Sequence, residues 1–210
     1  MIEKQMGSRE LALTMTSSGR ERKDSTRTDD SARALERALA GDRAAFDELI
    51  LRYQSRVLST AWRLLGAKED AQDAAQEVFL RLYRHLRRVD PHRPLLPWLY
   101  RMTVNVCHDL YRKRRRSDEL AAETLLLTRD VHDPREEISR AERLQLIERA
   151  LQELTEKERV ALVLRDLEGL STADVAATLG SSESTVRSQI STARTKIKAF
   201  VERFEKGAPR

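Results

Sequence analysis

The sequence predicts an all-α fold with two helical domains joined by a flexible linker. Helix breakers are scarce, with 7 glycines and 5 prolines among 210 residues, and no alternating run of β-branched residues indicates a sheet. Apolar residues recur at steps of three and four in two blocks, residues 32–116 and residues 140–205. Between the blocks, residues 117–139 mix acidic residues, threonines and Pro134 without a clean helical period, which is typical of a linker.

The segment before the first block, residues 1–31, is expected to be a disordered extension. Residues 1–30 hold six basic and six acidic side chains, and serine and threonine fill much of the rest. A segment with so few large apolar groups buries too little surface to offset the entropy of ordering the chain. A short turn near Leu11 is compatible with this expectation, and a folded tail is the less favoured alternative.

The first block divides into helices at recognisable breaks. A short helix around Leu35 ends before Asp42, a candidate N-cap whose side chain accepts backbone N–H groups. Gly66 ends the next helix, Asp70 opens a third, and the loop 89–97, VDPHRPLLP, carries three prolines, of which Pro97 suits the start of a fourth helix. The apolar stripes of the three long helices run from Phe46 to Leu65, from Ala74 through Phe79 and Tyr83 to Leu86, and from Trp98 to Leu110. Stripes of this size predict a compact helical bundle.

The second block contains a predicted helix-turn-helix, Ser171–Phe200. Upstream of it, Thr155 and Glu158 form a capping box at the start of a helix that ends at Gly169. Gly180 then breaks the first helix of the motif, and either Ser182 or Ser184 caps the next one. In that last helix the apolar residues recur at helical spacing and predict a buried stripe: Val186, Ile190, Ala193, Ile197 and Phe200.

The free side of the last helix carries arginine together with small hydroxyl residues. These outward residues are Arg187, Ser188, Ser191, Thr192 and Arg194. Arginine can pair with guanine through two hydrogen bonds, and serine or threonine can bond to base edges or phosphates. The pattern therefore predicts a recognition helix that enters the major groove of DNA.

A run of five cations, Arg112–Arg116, ends the first block. It follows a helix that carries Trp98, Tyr100 and Tyr111, and aromatic rings next to cations are typical of sites for single-stranded nucleic acid. The alternative is a solvated helix end, where cations favour the helix dipole. The second nucleic-acid signal downstream favours nucleic-acid contact.

A polar stripe lies on the helix that Asp70 opens. Asp70, Asp73, Gln76, Glu77 and Arg81 are expected opposite the apolar side of that helix. The alternative is a solvated face with no partner. Because an acidic surface repels DNA, a partner for this stripe would be a protein.

Composition excludes several other classes of protein. The chain has 35% charged residues and a net charge of +5, which is modest for a nucleic-acid binder. The distribution of the charges along the chain is therefore more informative about nucleic-acid binding than their total. The single cysteine, Cys107, cannot form an internal disulfide and suits a reducing cytoplasm, where we expect the protein. No apolar run approaches the roughly 18 residues that cross a bilayer, and the N-terminus lacks the apolar core of a secretion signal, so no membrane insertion is expected.

Catalysis is not expected either. The four histidines are scattered and pair with no second cysteine, and no glycine-rich phosphate loop is present. We therefore expect no catalytic residue, no bound metal and no cofactor. Cys107 is expected in the core.

Four segments, in their order along the chain, resemble the extracytoplasmic-function (ECF) group of bacterial sigma-70-type factors. They are GDRAAFDELILRYQ, EDAQDAAQEVFLRLY, PWLYRMTVNVCHDLYRKRRR and LTEKERVALVLRDLEGLSTADVAATLGSSESTVRSQISTARTKI. The resemblance covers about residues 32–205. A helix-turn-helix alone would be a weak signal because many regulators carry one, whereas the combination in this order is specific.

The resemblance implies a subunit that binds core RNA polymerase and directs promoter-specific transcription. Region 2, residues 32–116, would dock on the clamp helices of the largest polymerase subunit and hold the melted minus-10 strand. Region 4, residues 140–205, would read the minus-35 element next to the flap of the second-largest subunit. An anti-sigma factor is a further expected partner. The implied polymerase-binding residues are Asp70, Asp73, Gln76, Glu77 and Phe79. The implied minus-10 residues are Trp98, Asn105, Tyr111, Arg112, Arg114 and Arg115. The implied minus-35 residues are Arg187, Ser188, Ser191 and Thr192, with Arg165 and Arg194 on phosphates.

The loop before Trp98 departs from the family pattern, in which an aromatic residue, a charged residue and glycine precede polar residues. Residues 89–97 instead carry three prolines, so the base preference of the family's minus-10 pocket does not transfer to this chain. Two other classes remain open at this stage, a stand-alone helix-turn-helix regulator and a helical enzyme acting on nucleic acid. A simple repressor needs neither the acidic stripe nor the basic run, and an enzyme would be expected to carry a metal-ligand cluster.

Overall fold

The computed structural model describes residues 24–121 and 140–207. The first helical domain contains α1 (Asp24–Leu39), α2 (Arg43–Leu65), α3 (Lys68–His85) and α4 (Leu95–Ala121), with a 3₁₀ turn at Leu86–Arg88. The second helical domain contains α5 (Arg140–Gln152), α6 (Glu156–Leu162), α7 (Thr172–Leu179) and α8 (Glu183–Gly207), and a π-helical turn, Val163–Leu167, directly continues α6. Within these ranges there is no β-strand, which confirms the predicted all-α class.

Local signals set both ends of α2. The Asp42 side chain accepts a hydrogen bond from the Ala45 backbone N–H at 3.2 Å, as expected of an N-cap. At the other end Gly66 takes a left-handed conformation with φ of 74°, which a residue with a Cβ adopts only at a cost. A Cβ at Gly66 would also collide with the side chain of Gln152 from α5. The left-handed backbone therefore favours glycine at the end of α2, while the exposed Gln152 side chain would have to shift to admit a Cβ.

The second domain shows the predicted capping as well. Thr155 and Glu158 form the reciprocal capping box at the start of α6. Gly180 ends α7 with φ of 60°, and the Ser182 hydroxyl accepts the Thr185 backbone N–H at 3.2 Å at the start of α8. Of the two serines predicted as caps for α8, Ser182 is therefore the one that makes this hydrogen bond.

Two predicted boundaries are wrong. α1 begins at Asp24, so residues 24–31 of the expected disordered extension are helical. Ser31 is buried and accepts hydrogen bonds from Tyr53 at 2.8 Å and Arg52 at 3.0 Å, and this anchoring to α2 is invisible in the composition of the segment. α4 starts two residues earlier than predicted and extends to Ala121, five residues into the predicted linker. Residues 1–23 and 122–139, with the expected turn near Leu11 and most of the linker, lie outside the described residues.

Each domain has an apolar interior. In the first, Leu49 and Val57 of α2 meet Val78 and Leu82 of α3 and Leu99 of α4. Burying an aliphatic side chain of this size stabilises the fold by roughly 1.5–3 kcal/mol. In the second, fully buried side chains come from all four helices and from the π turn, among them Leu151, Leu162, Val163, Leu164, Val175, Val186 and Ala193.

The two domains also contact each other. α2 packs against α5, α6 and the π turn, and α4 packs against α7. The Arg159 guanidinium of α6 donates to the Leu64 carbonyl at 2.7 Å, near the C-terminal end of α2, where a helix has carbonyl groups without intrahelical partners. Periodicity along the chain predicted two domains and could not predict this contact, because residues 64 and 159 are far apart in sequence.

Among the described helices, none has the length and apolar character needed to cross a membrane.

Candidate nucleic-acid and polymerase interfaces

The last helix, α8, separates a buried stripe from an exposed face, as its sequence predicts. Val186, Ile190 and Ala193 are buried, while the five outward residues predicted for this helix are all exposed. Those five residues are Arg187, Ser188, Ser191, Thr192 and Arg194. A helix that packs by one stripe leaves this opposite face free to enter a DNA groove.

Part of this face lines a shallow groove of about 380 Å³. Its lining consists of Arg165, Thr172, Arg187, Ile190, Ser191, Arg194 and Thr195. The structure thus brings four of the six predicted minus-35 residues together, while Ser188 and Thr192 are exposed outside the lining. Sequence reasoning missed Thr172 and Thr195. Thr195 follows Ser191 by one helical turn, a spacing that could have revealed it.

The groove arginines already have acceptors on the protein. Arg194 forms a two-pronged contact with the Asp166 carboxylate at 2.7 and 2.9 Å, and this hydrogen bonding raises the pKa of Arg194. Arg187 pairs with Glu183 one turn earlier on α8 at 3.2 Å, and Arg165 donates to the Leu170 carbonyl at 3.2 Å. The side chains are therefore held in place before any anion arrives, and a phosphate at Arg194 would compete with a carboxylate.

The predicted minus-10 residues do not all share one face of α4. Trp98, Asn105 and Arg112 are spaced by seven residues, which is close to two helical turns, so they form one stripe. Asn105 and Arg112 are exposed, and Trp98 is half-buried against the core. Tyr111 lies on another side of α4, four residues after the buried Cys107. Arg114 and Arg115 are within the helix, but their side chains lie outside the described residues.

The atypical loop before α4 is ordered by its own residues. The Asp90 carboxylate accepts the His92 backbone N–H at 2.9 Å and pairs with Arg93 at 3.4 Å. Val89 and Leu95 are buried at its two ends. The proline-rich loop therefore presents His92 and Arg93, both exposed, next to the start of the helix that carries Trp98.

The polar stripe on α3 differs in part from its predicted arrangement. Asp73 and Gln76 are exposed, whereas Asp70 and Glu77 are half-buried on the flank of the helix. Glu77 pairs with Arg81 at 2.7 Å, and this hydrogen bond raises the pKa of Arg81. The acidic stripe is therefore narrower than the sequence predicted.

One apolar side chain on α3, Tyr83, lies where the sequence predicted otherwise. Phe79, predicted in the apolar stripe and implied by the resemblance to contact the polymerase, is partly buried against the core. Tyr83, predicted as part of the core stripe, is 56% exposed, and its ring meets Phe46 edge-on at 5.2 Å between centroids. Leu80, which the sequence reasoning did not select, is 43% exposed. The outward surface of α3 therefore combines Asp73 and Gln76 with Leu80 and Tyr83.

Cys107 lies in the core, as expected. Burial, with a smaller contribution from the Glu156 carboxylate of α6, raises the pKa of its thiol to about 12. The thiol therefore remains protonated and unreactive at neutral pH.

With this geometry established, two family profiles match the chain. The sigma-70 region 2 family matches residues 49–117, and the sigma-70 region 4 family matches residues 144–197. The RNA polymerase sigma-H factor of Pseudomonas aeruginosa is 36% identical over 172 residues, which cover 78% of this chain and 89% of that protein. The ECF RNA polymerase sigma-E factor of Escherichia coli K12 is 33% identical, with coverage of 78% of this chain and 90% of its relative. This chain belongs to the ECF group of the sigma-70 family.

Solved structures agree with the fold. CnrH, in complex with the cytosolic domain of CnrY, superimposes with a TM-score of 0.61 at 28% identity, over 82% of this sigma factor and 97% of CnrH. The sigma factor RpoE of Bartonella quintana, in complex with the anti-sigma factor NepR, gives a TM-score of 0.63 at 22% identity, over 75% and 96% of the two chains. The family profiles and the relatives confirm the resemblance seen in the sequence.

Proposed function

We propose that this sigma factor binds core RNA polymerase and directs promoter-specific initiation, with α8 reading the minus-35 element and α4 holding the melted minus-10 strand. The observation that carries the proposal is the α8 groove, where Arg165, Arg187 and Arg194 converge with three hydroxyl side chains. Cations fixed beside small hydroxyls match the phosphates and base edges of a DNA groove. In this role the protein positions DNA and performs no catalysis.

At the minus-35 element, Arg187, Ser188, Ser191 and Thr192 face the bases, and Arg165 and Arg194 contact phosphates. Arg187 is exposed and pairs with Glu183 on its own helix, and an exposed pair of this kind is weak enough for a base edge to replace it. A two-pronged pair between arginine and guanine discriminates by roughly 1–3 kcal/mol. Arg194 would exchange the Asp166 carboxylate for a DNA phosphate.

At the minus-10 element, the stripe of Trp98, Asn105 and Arg112 receives the non-template strand. Extracting a base from the stack costs on the order of a few kcal/mol, and stacking on an aromatic side chain returns about 1–3 kcal/mol per base. Melting by the sigma factor alone is therefore marginal, and capture on the polymerase is favoured. Arg114 and Arg115 extend the positive charge of this helix, and Tyr111 contributes from another side.

On the polymerase, the outward surface of α3 docks on the clamp helices of the largest subunit, and region 4 lies against the flap of the second-largest subunit. Asp73 and Gln76 provide the exposed polar contacts, with Asp70, Glu77 and Phe79 on the flanks. CnrH was solved with the cytosolic domain of CnrY, and the Bartonella sigma factor was solved with the anti-sigma factor NepR. By analogy, this chain would be held inactive in the cytoplasm by an anti-sigma factor.

Reconstituted transcription tests the proposal. Purified sigma factor is added to core polymerase with a library of promoter sequences, and we expect promoter-specific transcripts only when both proteins are present. Tight sequence-specific DNA binding by the chain alone, with no effect on polymerase initiation, would contradict the proposal.

A second arm tests the α3 surface. The double variant Asp73→Lys, Gln76→Lys should lose polymerase binding, because two exposed positions then repel the cations that an acidic surface attracts. The matched control, Gln54→Lys with Ser55→Lys, adds two lysines at exposed positions of α2 and should bind normally. Equal binding by the two variants would show that the α3 stripe is only a solvated face.

A further inference from the structure

A buried carboxylate joins the two domains of this sigma factor. Glu168, directly after the π turn, has only 8% of its side chain exposed. Among the described residues, three side chains of the first domain donate hydrogen bonds to this carboxylate: Arg63 at 2.6 Å, Thr60 at 3.0 Å and the Tyr100 hydroxyl at 2.6 Å. A buried carboxylate is costly unless it is paired and hydrogen-bonded, so these three donors hold region 4 against region 2.

A second set of contacts supports the same interface. The Arg159 guanidinium donates to the Leu64 carbonyl of α2 as well as to the Leu151 and Leu154 carbonyls of its own domain. The side chain of Gln152 fills the space beside Gly66, next to the end of α2. The contact is therefore a built interface with several fixed polar partners.

The π turn connects this interface to the α8 groove. Arg165 and Asp166 lie within the turn, where Arg165 lines the groove and Asp166 holds Arg194. Glu168 accepts the hydrogen bonds from region 2 only two residues after Asp166. A π-helical turn has one more residue between hydrogen-bonded groups than an α-helical turn, and such turns are frequent at functional positions.

In this closed arrangement the two DNA surfaces are too close together for a promoter. Asn105 lies five residues from Tyr100 along α4, about 7.5 Å, and Arg165 is three residues from Glu168, at most about 11 Å. With the Tyr100 and Glu168 side chains and the hydrogen bond between them added, Asn105 and Arg165 lie within about 30 Å of each other. Promoter positions minus 10 and minus 35 are about 85 Å apart along duplex DNA at 3.4 Å per base pair. One molecule cannot bind both elements while Glu168 remains in place.

We propose that Glu168 is an autoinhibitory latch, which keeps the free sigma factor closed and releases when the protein binds polymerase. The consequence for promoter binding rests on the proposed function, whereas the latch itself is a property of the free chain. The 18 residues 122–139 connect the domains and span at most about 60 Å when extended, so separation requires no break in the fold.

Distance measurement on the full-length chain tests the latch without DNA or polymerase. Spin labels on Gln54→Cys in α2 and Ala199→Cys in α8, both exposed positions, report the separation of the domains, while buried Cys107 is protected from labelling. The parent protein should give one short, narrow distance distribution. Glu168→Ala should shift the ratio of closed to open molecules about tenfold towards longer distances, since hydrogen bonds to a buried charge are lost.

Controls separate unlatching from misfolding. Glu202→Ala removes an exposed carboxylate that pairs with Lys198 on the same helix, and it should leave the distance unchanged. The charge-swapped pair Arg63→Glu, Glu168→Arg should restore part of the closed population. Circular dichroism checks that each variant keeps its helices, and Tyr100→Phe, which deletes only a hydroxyl, serves as a milder variant. Unchanged distances in folded Glu168→Ala and Tyr100→Phe would overturn the latch.

A polymerase arm links the latch to function. Core polymerase added to the labelled parent protein should lengthen the distance, and Glu168→Ala should bind polymerase about tenfold more tightly because less of it is closed. Polymerase binding that leaves the short distance intact would overturn release as the mechanism. Because the first measurement uses the free chain, failure of promoter-specific transcription would remain distinguishable from failure of the latch.

Discussion

Asp166 and Glu168 are two residues apart, and each binds an arginine, but the two ion pairs have different surroundings. At the edge of the α8 groove, Asp166 is 15% exposed and its partner Arg194 is 62% exposed. In the interface between the domains, Glu168 is 8% exposed and its partner Arg63 is 34% exposed. An exposed pair is screened by water and typically contributes 1 kcal/mol or less, whereas breaking a buried pair costs several kcal/mol. The exposed pair of Asp166 and Arg194 is therefore suited to exchange with a DNA phosphate. The less exposed pair of Glu168 and Arg63 is suited to holding the two domains together.

The largest expected effect is a loss of stability when the buried side chain of Arg159, at the contact between the domains, is removed. Arg159→Ala should lower the free energy of unfolding by about 3 kcal/mol or more, because three carbonyls each lose a hydrogen bond from the buried guanidinium. Urea denaturation followed by circular dichroism measures this loss. The control Arg203→Ala removes an exposed pair with Glu153 and should change stability by less than about 1 kcal/mol. Equal losses of unfolding free energy in the two variants would show that the burial of an arginine does not determine how much it stabilises this protein.

A second prediction concerns the pH dependence of stability, through the carboxylate of Glu158 between α6 and α8. Burial raises the pKa of Glu158, but hydrogen bonds from Lys196 and from the Thr155 backbone outweigh burial and leave the pKa below its ordinary value of 4.5. A carboxyl group whose pKa is lowered by folding stabilises the protein above pH 4.5, and this stability is lost as the pH falls through the folded pKa.

Acid titration of stability checks this sign. Glu158→Gln should lower the free energy of unfolding at pH 7 by about 1–3 kcal/mol. The difference in unfolding free energy between this variant and the parent protein should become smaller as the pH falls below 4.5. A gap that stays constant from pH 7 to pH 3 would show that the charge of Glu158 is not what stabilises α6 against α8.

How much of this arrangement the sequence could predict depends on the range of each interaction. Helix caps such as Asp42 and Thr155 depend on neighbours within three residues, so the local sequence was sufficient to predict them. Glu168 lies in the segment DLEGL, which shows no helical period, and its partner Arg63 is 105 residues away. A single sequence carries no signal for such a pairing, so the predicted flexible joint gave no indication of a docked interface.

Predictions failed at intermediate range too. Phe79, Leu80 and Tyr83 all fit a helical apolar pattern, and which of them faces the core depends on where α3 meets α2 and α4. The buried set of α3 is narrow, because alanines at 71 and 74 allow close approach of its neighbours. A stripe drawn from periodicity alone was therefore too wide, because it assigned the exposed Tyr83 to the core together with Phe79.

On the exposed side, Arg187→Ala tests the base-reading role. This variant should reduce discrimination among minus-35 sequences by roughly 1–3 kcal/mol while polymerase binding remains intact, because Arg187 lies on the outward face of α8. Competition among promoter variants in reconstituted transcription measures the preference. Lys198→Ala, which removes an exposed cation outside the groove lining on the same helix, is the matched control. An unchanged preference in Arg187→Ala would refute the assignment.

The smallest expected effect sharpens the contrast between the two carboxylates. Asp166→Asn removes the charge that competes with DNA for Arg194, so affinity for a duplex carrying the minus-35 element should rise a few-fold at low salt. If Arg194 then gains a phosphate contact, the slope of log K against log salt should steepen by about 0.9. The distance between the domains should not change, whereas the same carboxylate-to-amide change in Glu168→Gln should lengthen it. Weaker DNA binding by Asp166→Asn, to the level of Arg194→Ala, would instead mean that Asp166 positions Arg194 for the phosphate, and the proposed exchange between carboxylate and DNA would be wrong.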